Sequence, residues 1–299
     1  MAGRVFGVFD APAKLMKNLV GFWFVEERRV LYNNTQQFQG KTMDQVLISC
    51  ERLADLPHYL GLARKHNLGL ELQEFHNPEL LDNDWRSVVR AYKQQLDGFE
   101  GPLTMHGAFI DLISGSPDRR VAALARERYL LNLLIAHELG AELIDFHANY
   151  VSLVDHPSYL PGWENRQVDF WAPLVEQGAE LGIKMVLENM WEPDPWIISR
   201  VLDRIQSPYL KTCLDVGHAV LYSKLPIKTW IDTLSQHLIY VHLHNNHGDV
   251  DEHLAFGDGV IDFPELLDTL RAMQHPPKFT LELPTLESIK ASLPYLDLD

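Results

Sequence analysis

Short apolar runs alternate with longer stretches of helical periodicity from residue 45 to the end of the chain. Eight of these runs have the length and pattern of buried strands: QVLISC (45–50), GLELQEF (69–75), PLTMH (102–106), AELIDFH (141–147), IKMVLE (183–188), LKTCLD (210–215), LIYVHLH (238–244) and KFTLEL (278–283). Eight strands that alternate with helices are the number that closes a parallel sheet into a (β/α)8 barrel. The pattern therefore predicts an α/β fold, a TIM barrel, with an open doubly wound sheet as the alternative.

Helix boundary signals fill the gaps between these runs. Ser116-Pro117-Asp118 offers a cap and a first-turn proline for a helix that we expect to end near Gly140. Asp194-Pro195 opens another helix, and PELLDTLRAM (264–273) has the pattern of a third. These signals agree with strands joined by helical crossovers.

Domain organisation follows from the absence of any Pro/Gly-rich linker or low-complexity segment in the sequence. A length of 299 residues with 46% hydrophobic residues provides a core for a single barrel. We therefore predict one barrel domain over residues 45–299, preceded by an N-terminal extension over residues 1–44 whose structure the pattern does not define.

Charge and cysteine content bear on where the protein is located and on which partners it binds. The formal net charge of −15 gives no general attraction for nucleic acid or for an anionic membrane. The two cysteines, Cys50 and Cys213, are too few for a disulfide framework and fit a reducing cytoplasm. The amino-terminal stretch lacks a signal-type apolar core, and no apolar run approaches the roughly 18 residues of a membrane span. We expect a soluble, cytoplasmic protein with no membrane partner.

Side chains with metal-ligand chemistry end six consecutive predicted strands. Because side chains alternate along a strand, residues of equal parity share a face. In LKTCLD, for example, Asp215 shares a face with Cys213, whereas Leu214 points the other way. The same reasoning places six such residues on the inward face: His106, His147, Glu188, Asp215, His242 and Glu282.

The carboxyl end of the barrel is where TIM-barrel active sites are built. Carboxylates crowded there repel one another unless a cation or protons neutralise them. Mixed imidazole and carboxylate ligands favour Zn, Mn, Fe or Co over Ca. The six residues therefore predict a divalent metal site.

These sequences resemble a known family, the xylose isomerase-like TIM-barrel superfamily, over about residues 45–285. The resemblance is carried, in the strand order of the family, by Glu188 in VLEN, Asp215 and His218 in CLDVGH, His242 in VHLHNN and Glu282 in LELP. The superfamily contains sugar isomerases and epimerases alongside endonuclease IV, the apurinic-site nuclease.

The epimerases of this group suggest the first functional hypothesis. There, the residues that match Glu188, Asp215, His242 and Glu282 hold one divalent metal, and the two glutamates are the acid/base pair. The resemblance thus implies a metal-dependent isomerase or epimerase of a sugar or sugar phosphate, which moves a proton through an enediolate with one Mn, Co or Mg ion. His106, His218 and Glu74 are the candidate substrate contacts. The expected partner is a small carbohydrate, and the expected assembly is a homodimer.

Endonuclease IV suggests the alternative, a multinuclear zinc phosphodiesterase. Its longer ligand set builds three zinc sites, and the resemblance adds matching positions here: His106, His147, His218, Asp251 and His253. Two or three Zn or Fe ions would then be expected. The acidic loop HNPELLDNDW (76–85) disfavours DNA, whose phosphates need cations, so we favour carbohydrate chemistry without excluding nucleic acid. Two nearby histidines, His244 and His247, have no counterpart in either ligand set.

Overall fold

A closed barrel of eight parallel strands, β1 to β8 in chain order, organises the protein. The computed structural model describes residues 45–152 and 156–298. The strands are Val46–Cys50 (β1), Gly69–Leu72 (β2), Leu103–His106 (β3), Leu143–His147 (β4), Lys184–Glu188 (β5), Leu210–Asp215 (β6), Leu238–Leu243 (β7) and Lys278–Leu281 (β8). The predicted TIM barrel is confirmed, whereas the predicted extension over residues 1–44 lies outside the described residues.

Helices join the strands on the outside of the barrel. They are Leu56–His66 (α1), Pro78–Asp82 (α2), Trp85–Gln95 (α3), Arg119–Leu139 (α4), Tyr159–Leu181 (α5), Trp196–Ile205 (α6), Val216–Tyr222 (α7), Ile227–Leu234 (α8), Phe263–Arg271 (α9) and Leu286–Ser292 (α10), with 3-10 turns at Glu74–His76 and Leu293–Leu296. None of these described helices is long and apolar enough to cross a membrane.

Helix α4 begins and ends where the sequence predicts. The Asp118 side chain accepts a hydrogen bond from the backbone N–H of Arg120 and caps the first turn. Gly140 ends the helix with a φ of 77°, a left-handed conformation that glycine adopts without a steric cost. Helices α6 and α9 likewise follow the predicted Asp194-Pro195 and Pro264 signals.

The register between neighbouring strands positions the side chains of the site, because it brings the polar strand ends side by side. His147 is opposite Glu188 across β4 and β5, and Asp215 is opposite His242 across β6 and β7. Beneath these residues, a small apolar cluster fills the barrel interior: Leu47, Leu143, Val186, Cys213 and Tyr240. Strand residues of the opposite parity, such as Leu214, pack in the larger core, which also includes helix residues. The polar ends therefore lie inside the barrel at its carboxyl end.

Candidate metal centre

The six residues predicted from strand parity converge at the carboxyl end of the barrel. Four are the last residues of their strands, namely His106, His147, Glu188 and Asp215. His242 is one residue before the end of β7, and Glu282 follows β8 by one residue. The side chain of Glu282 is 14% exposed, whereas that of Glu188 is 1% exposed, so the centre is buried and opens toward Glu282.

Four of these residues, Glu188, Asp215, His242 and Glu282, form what we call the inner group. Nδ1 of His242 lies 3.6 Å from Oε2 of Glu188 and 3.2 Å from Oε2 of Glu282. Ligand-type atoms of Glu188, Asp215 and His242 also lie within 4.8 Å of one another. The inner group thus gathers one imidazole nitrogen and carboxylates from four neighbouring strand ends.

The hydrogen bonding and spacing of two facing atoms show whether a metal ion fits the inner group. Within the described residues, Glu188 Oε2 and His242 Nδ1 are buried and lack a hydrogen-bond partner. Ligands bound to one ion at about 2.0–2.2 Å lie about 3.0–3.6 Å apart, and the two distances to His242 Nδ1 agree with that spacing. One nitrogen with carboxylate oxygens suits Zn, Mn, Fe or Co. The inner group therefore fits a divalent transition-metal ion.

The other nitrogen of His242 is held by a carboxylate from β2. Nε2 lies 3.0 Å from Glu71 Oε2, which also accepts the Tyr240 hydroxyl hydrogen bond at 2.8 Å. With the hydrogen on Nε2, the Nδ1 lone pair points at Glu188 and Glu282. A carboxylate behind a histidine in this way is typical of metal ligands, because it fixes the tautomer and raises the basicity of the ring.

A second carboxylate, Asp145 of β4, lies 3.4 Å from the same Nε2. Among the described residues both Asp145 oxygens are buried without a hydrogen-bond partner. Burial and the charge of Glu188 raise the pKa of Asp145 well above its ordinary value. Neither Asp145 nor Glu71 was among the predicted site residues, although the shared parity of Asp145 and His147 was visible in the sequence.

The two polar residues that follow β2 have different surroundings. Nε2 of Gln73 donates to Glu282 Oε1 at 2.7 Å and to Glu71 Oε1 at 3.2 Å. Oε2 of Glu74 instead accepts from the Leu53 backbone N–H at 2.7 Å and from the Tyr92 hydroxyl at 2.8 Å. These contacts favour a structural role for Glu74 over the predicted substrate contact, and they place Gln73 beside the inner group.

Beside the inner group lies a second set, His106, His147 and Glu188, which we call the β3–β5 group. It shares Glu188 with the inner group. The Nε2 atoms of the two histidines lie 3.4 and 3.5 Å from Glu188 Oε2. Phe109 stacks on the His147 ring with centroids 4.8 Å apart and lies 5.2 Å from the His106 ring. The three residues of the group offer ligand atoms within 4.8 Å of one another, so a second ion has a candidate position here.

A third set, His218, Asp251 and His253, forms the loop group. Asp251 oxygens lie 3.2 Å from His218 Nε2 and 3.3 Å from His253 Nε2. Both histidines point Nδ1 at a backbone carbonyl, that of Asn189 at 3.0 Å and that of Glu282 at 2.8 Å. With a hydrogen on each Nδ1, both Nε2 atoms would be the ones that bind a cation together with Asp251, as in a metal site.

Burial and charge shift the pKa values of the centre in opposite directions. Burial opposes the charge of Glu188, but the neighbouring histidines, with His147 and His242 foremost, hold its pKa well below the ordinary range. Burial lowers the pKa of His147 to about 4. At His106 burial acts in the same direction, yet the Glu188 carboxylate outweighs it and raises the pKa to about 10. The pKa values of these two histidines thus shift in opposite directions, because the charges of Asp145 and Glu71 also raise the pKa of His106, whereas the imidazoles of His106 and His218 lower that of His147.

Comparison with known proteins decides the family. The family described as xylose isomerase-like TIM barrel matches residues 62–297. The chain belongs to this family. The resemblance inferred from VLEN, CLDVGH, VHLHNN and LELP is therefore confirmed.

The chain is similar to a protein of known sequence and to two solved structures. The uncharacterized protein MJ1311 of Methanocaldococcus jannaschii is 29% identical over 211 residues, which span 65% of this chain and 68% of that protein. The structure of TTHB071 protein from Thermus thermophilus, soaked with ZnCl2, has a TM-score of 0.70 at 26% identity and covers 85% of this chain and 96% of that one. A D-tagatose 3-epimerase-like protein shares the fold at 24% identity with a TM-score of 0.70, over 85% and 97% of the two chains.

Proposed function

We propose that this protein is a divalent-metal-dependent isomerase or epimerase of a sugar or sugar phosphate. The observation that carries the proposal is the approach of Glu188 and Glu282 to one nitrogen of His242, from the two sides of the inner group. A bound divalent cation would supply positive charge that stabilises the oxygen of a carbonyl as a proton leaves the adjacent carbon.

The two glutamates supply the proton transfer. Burial opposes their ionisation, but neighbouring histidines, His242 among them, hold the pKa of both Glu188 and Glu282 well below the ordinary range. Both are therefore carboxylates at neutral pH and can accept a proton. They extend from β5 and β8, so one can take a proton from one face of a substrate carbon while the other returns it on the opposite face. His106 and His218 are the proposed contacts for substrate hydroxyl groups.

Two of the relatives support this class. The name of the D-tagatose 3-epimerase-like neighbour agrees with carbohydrate chemistry, and the zinc soak of the Thermus thermophilus neighbour adds zinc to Mn, Co and Mg as candidate cations. Neither the substrate nor the cation follows from those names, so both are part of the proposal.

Solvent exchange tests the proposed reaction. The protein is incubated in D2O with a panel of ketoses and ketose phosphates, and NMR detects deuterium at the carbon next to the carbonyl. We expect exchange with at least one member of the panel, and its loss in Glu188→Gln and Glu282→Gln. Glu252→Gln is the control, because this carboxylate bonds His247 at the surface. Exchange that persists in both inner-group variants contradicts the assigned roles.

The β3–β5 group and the loop group favour a second candidate, a multinuclear phosphodiesterase. Together with the inner group they could hold three ions, and Glu188 is shared by two of the groups. Elemental analysis of protein purified without chelator separates the candidates. About one ion per chain supports the epimerase, whereas two or three zinc or iron ions direct the search to phosphodiester substrates, including incised abasic-site DNA.

A further inference from the structure

His244, one residue beyond β7, lies buried between the inner group and the loop group. Its Nε2 is 3.1 and 3.0 Å from the two oxygens of Asp215. Its ring stacks on that of His253, with centroids 3.8 Å apart and planes inclined by 7°. Nε2 also lies 3.9 Å from Asp251 Oδ1. Proximity alone would make His244 a fourth ligand of the loop group.

The hydrogen bonds of the ring nitrogens argue against a ligand role. His218 and His253 each have a backbone carbonyl that can accept a hydrogen from Nδ1, so that Nε2 could bind a cation that Asp251 also ligates. Nδ1 of His244 is buried and has no hydrogen-bond partner in the part of the chain that the structure describes. A hydrogen on that atom would be an orphaned buried donor, which is rare in folded proteins.

Nε2 of His244, by contrast, faces a carboxylate. A lone pair there would repel both Asp215 oxygens, whereas an N–H there makes a charge-assisted hydrogen bond. These contacts favour a hydrogen on Nε2, and the nitrogen that lies 3.9 Å from Asp251 Oδ1 would then have no lone pair to offer a cation.

We propose that His244 is a positioning residue for Asp215 and not a metal ligand. Its Nε2–H holds the carboxylate from one side, while the backbone N–H of His218 holds Oδ1 at 2.6 Å from the other. These two donors fix the direction in which Asp215 presents an oxygen to the inner group. The inference deepens the proposed function, because the effect on metal binding rests on Asp215 being a ligand.

Gly217 makes room for this arrangement. A Cβ at position 217 would lie 2.0 Å from Cε1 and 2.6 Å from Nδ1 of His244, much closer than atoms can approach. Asn246 Nδ2 donates to the Gly217 carbonyl at 3.1 Å and fixes the backbone there. The glycine of CLDVGH therefore provides the space in which the His244 ring reaches Asp215.

The tautomer of His244 can be measured without any metal. We expect long-range 1H–15N NMR of the chelator-treated full chain, labelled with 15N-histidine, to show His244 with its hydrogen on Nε2. The signals are assigned by their loss in His244→Gln. A hydrogen on Nδ1, or on both nitrogens, overturns the inference. This result is independent of the proposed function.

Metal titration then tests the consequence. His244→Phe keeps a ring but removes the donor, and should weaken the Asp215-dependent ion about 10- to 100-fold in competition with a chromophoric chelator. His244→Gln, whose amide nitrogen can donate from a similar position, should recover most of that loss. His247→Phe is the matched control, because its side chain is 58% exposed. Equal weakening in the Phe and Gln variants overturns the donor role.

The same titration identifies a ligand role if one exists. In that case His244→Phe would remove the ion that Asp251→Ala also removes and would leave the Asp215-dependent ion unchanged, which overturns the inference. A wild-type chain that binds no ion would refute the proposed function instead, and the NMR result would still decide the hydrogen bond to Asp215.

Discussion

Replacing Glu71 by glutamine removes a charge from behind His242 with little change in side-chain size. The Glu71 carboxylate accepts hydrogen bonds from His242 Nε2 at 3.0 Å, Tyr240 Oη at 2.8 Å and Gln73 Nε2 at 3.2 Å. A glutamine oxygen can still accept the first two, but its NH2 group then faces the Gln73 donor. The hydrogen bond from Gln73 to a charged group is lost, and those from His242 and Tyr240 now go to a neutral acceptor. Together these changes lower the free energy of unfolding by about 2–4 kcal/mol.

Metal affinity should fall as well, because His242 loses the carboxylate that fixes its tautomer. Loss of such a partner weakens metal binding about 10- to 100-fold, or about 1.4–2.7 kcal/mol. Urea unfolding of the chelator-treated protein measures the stability change, and competition with a chromophoric chelator measures the affinity.

Glu74→Gln is the matched control for Glu71→Gln. Glu74 lies just after β2 and, like Glu71, accepts a hydrogen bond from a buried tyrosine, here Tyr92, but both partners of its Oε2 lie outside the inner group. Its Oε2 contacts can persist as neutral hydrogen bonds, so we expect a stability loss of about 1–2 kcal/mol and unchanged metal affinity. Equal metal affinity in the two variants would refute the role of Glu71.

Three further predictions concern packing and buried thiols. Gly217→Ala should lower the free energy of unfolding by about 1–3 kcal/mol, because the new methyl group overpacks against His244. Gly61→Ala, with no described atom near the new methyl group, should stabilise the protein. Equal urea midpoints for the two variants would contradict this. Burial raises the pKa of Cys50 to about 12, so about one thiol in ten thousand is ionised at pH 8, and Ellman's reagent should label it only on unfolding. Because the folded state retains that proton longer than the unfolded state, stability should fall as pH rises from about 9 to about 12, and Cys50→Ala should flatten this dependence.

The barrel and most of the centre could be predicted because strand periodicity is short. With a period of two, LKTCLD places Asp215 and Cys213 together, and the structure has Cys213 inside the barrel and Leu214 in the outer core. The same reasoning found the other five strand-end residues. The inward or outward direction of a side chain depends only on alternation within its strand, so an error of one or two residues at a strand boundary does not change the assignment.

Strand β2 shows where this reasoning fails. The run GLELQEF predicts a strand to Phe75, but β2 ends at Leu72 and a 3-10 turn begins at Glu74. The pattern therefore favours the last polar residues of the run, whereas Glu71 is the one that points inward opposite Thr104. A strand end set by tertiary contacts, such as the Gln73 backbone N–H bonding the Cys50 carbonyl, leaves no local signal.

His244 illustrates a different limit. Its parity with His242 placed it on the inward face, but its partners come from the end of β6 and from the loop after β7. Which of its two nitrogens carries the hydrogen depends on those partners, and a sequence pattern does not specify them. The role of a buried histidine is thus set by tertiary contacts even when its position is not.

The Tyr240 hydroxyl at the barrel axis has a kinetic consequence. It bonds Glu71, Thr104 and Thr280, while its ring packs with the interior apolar cluster, so side chains fill the described barrel beneath the centre. Cations, water and substrate must then enter and leave through the loops at the carboxyl end. The residence time of any occupant is consequently governed by those loops, and substitutions such as Phe109→Ala can change exchange rates while the equilibrium affinity of the inner group stays the same.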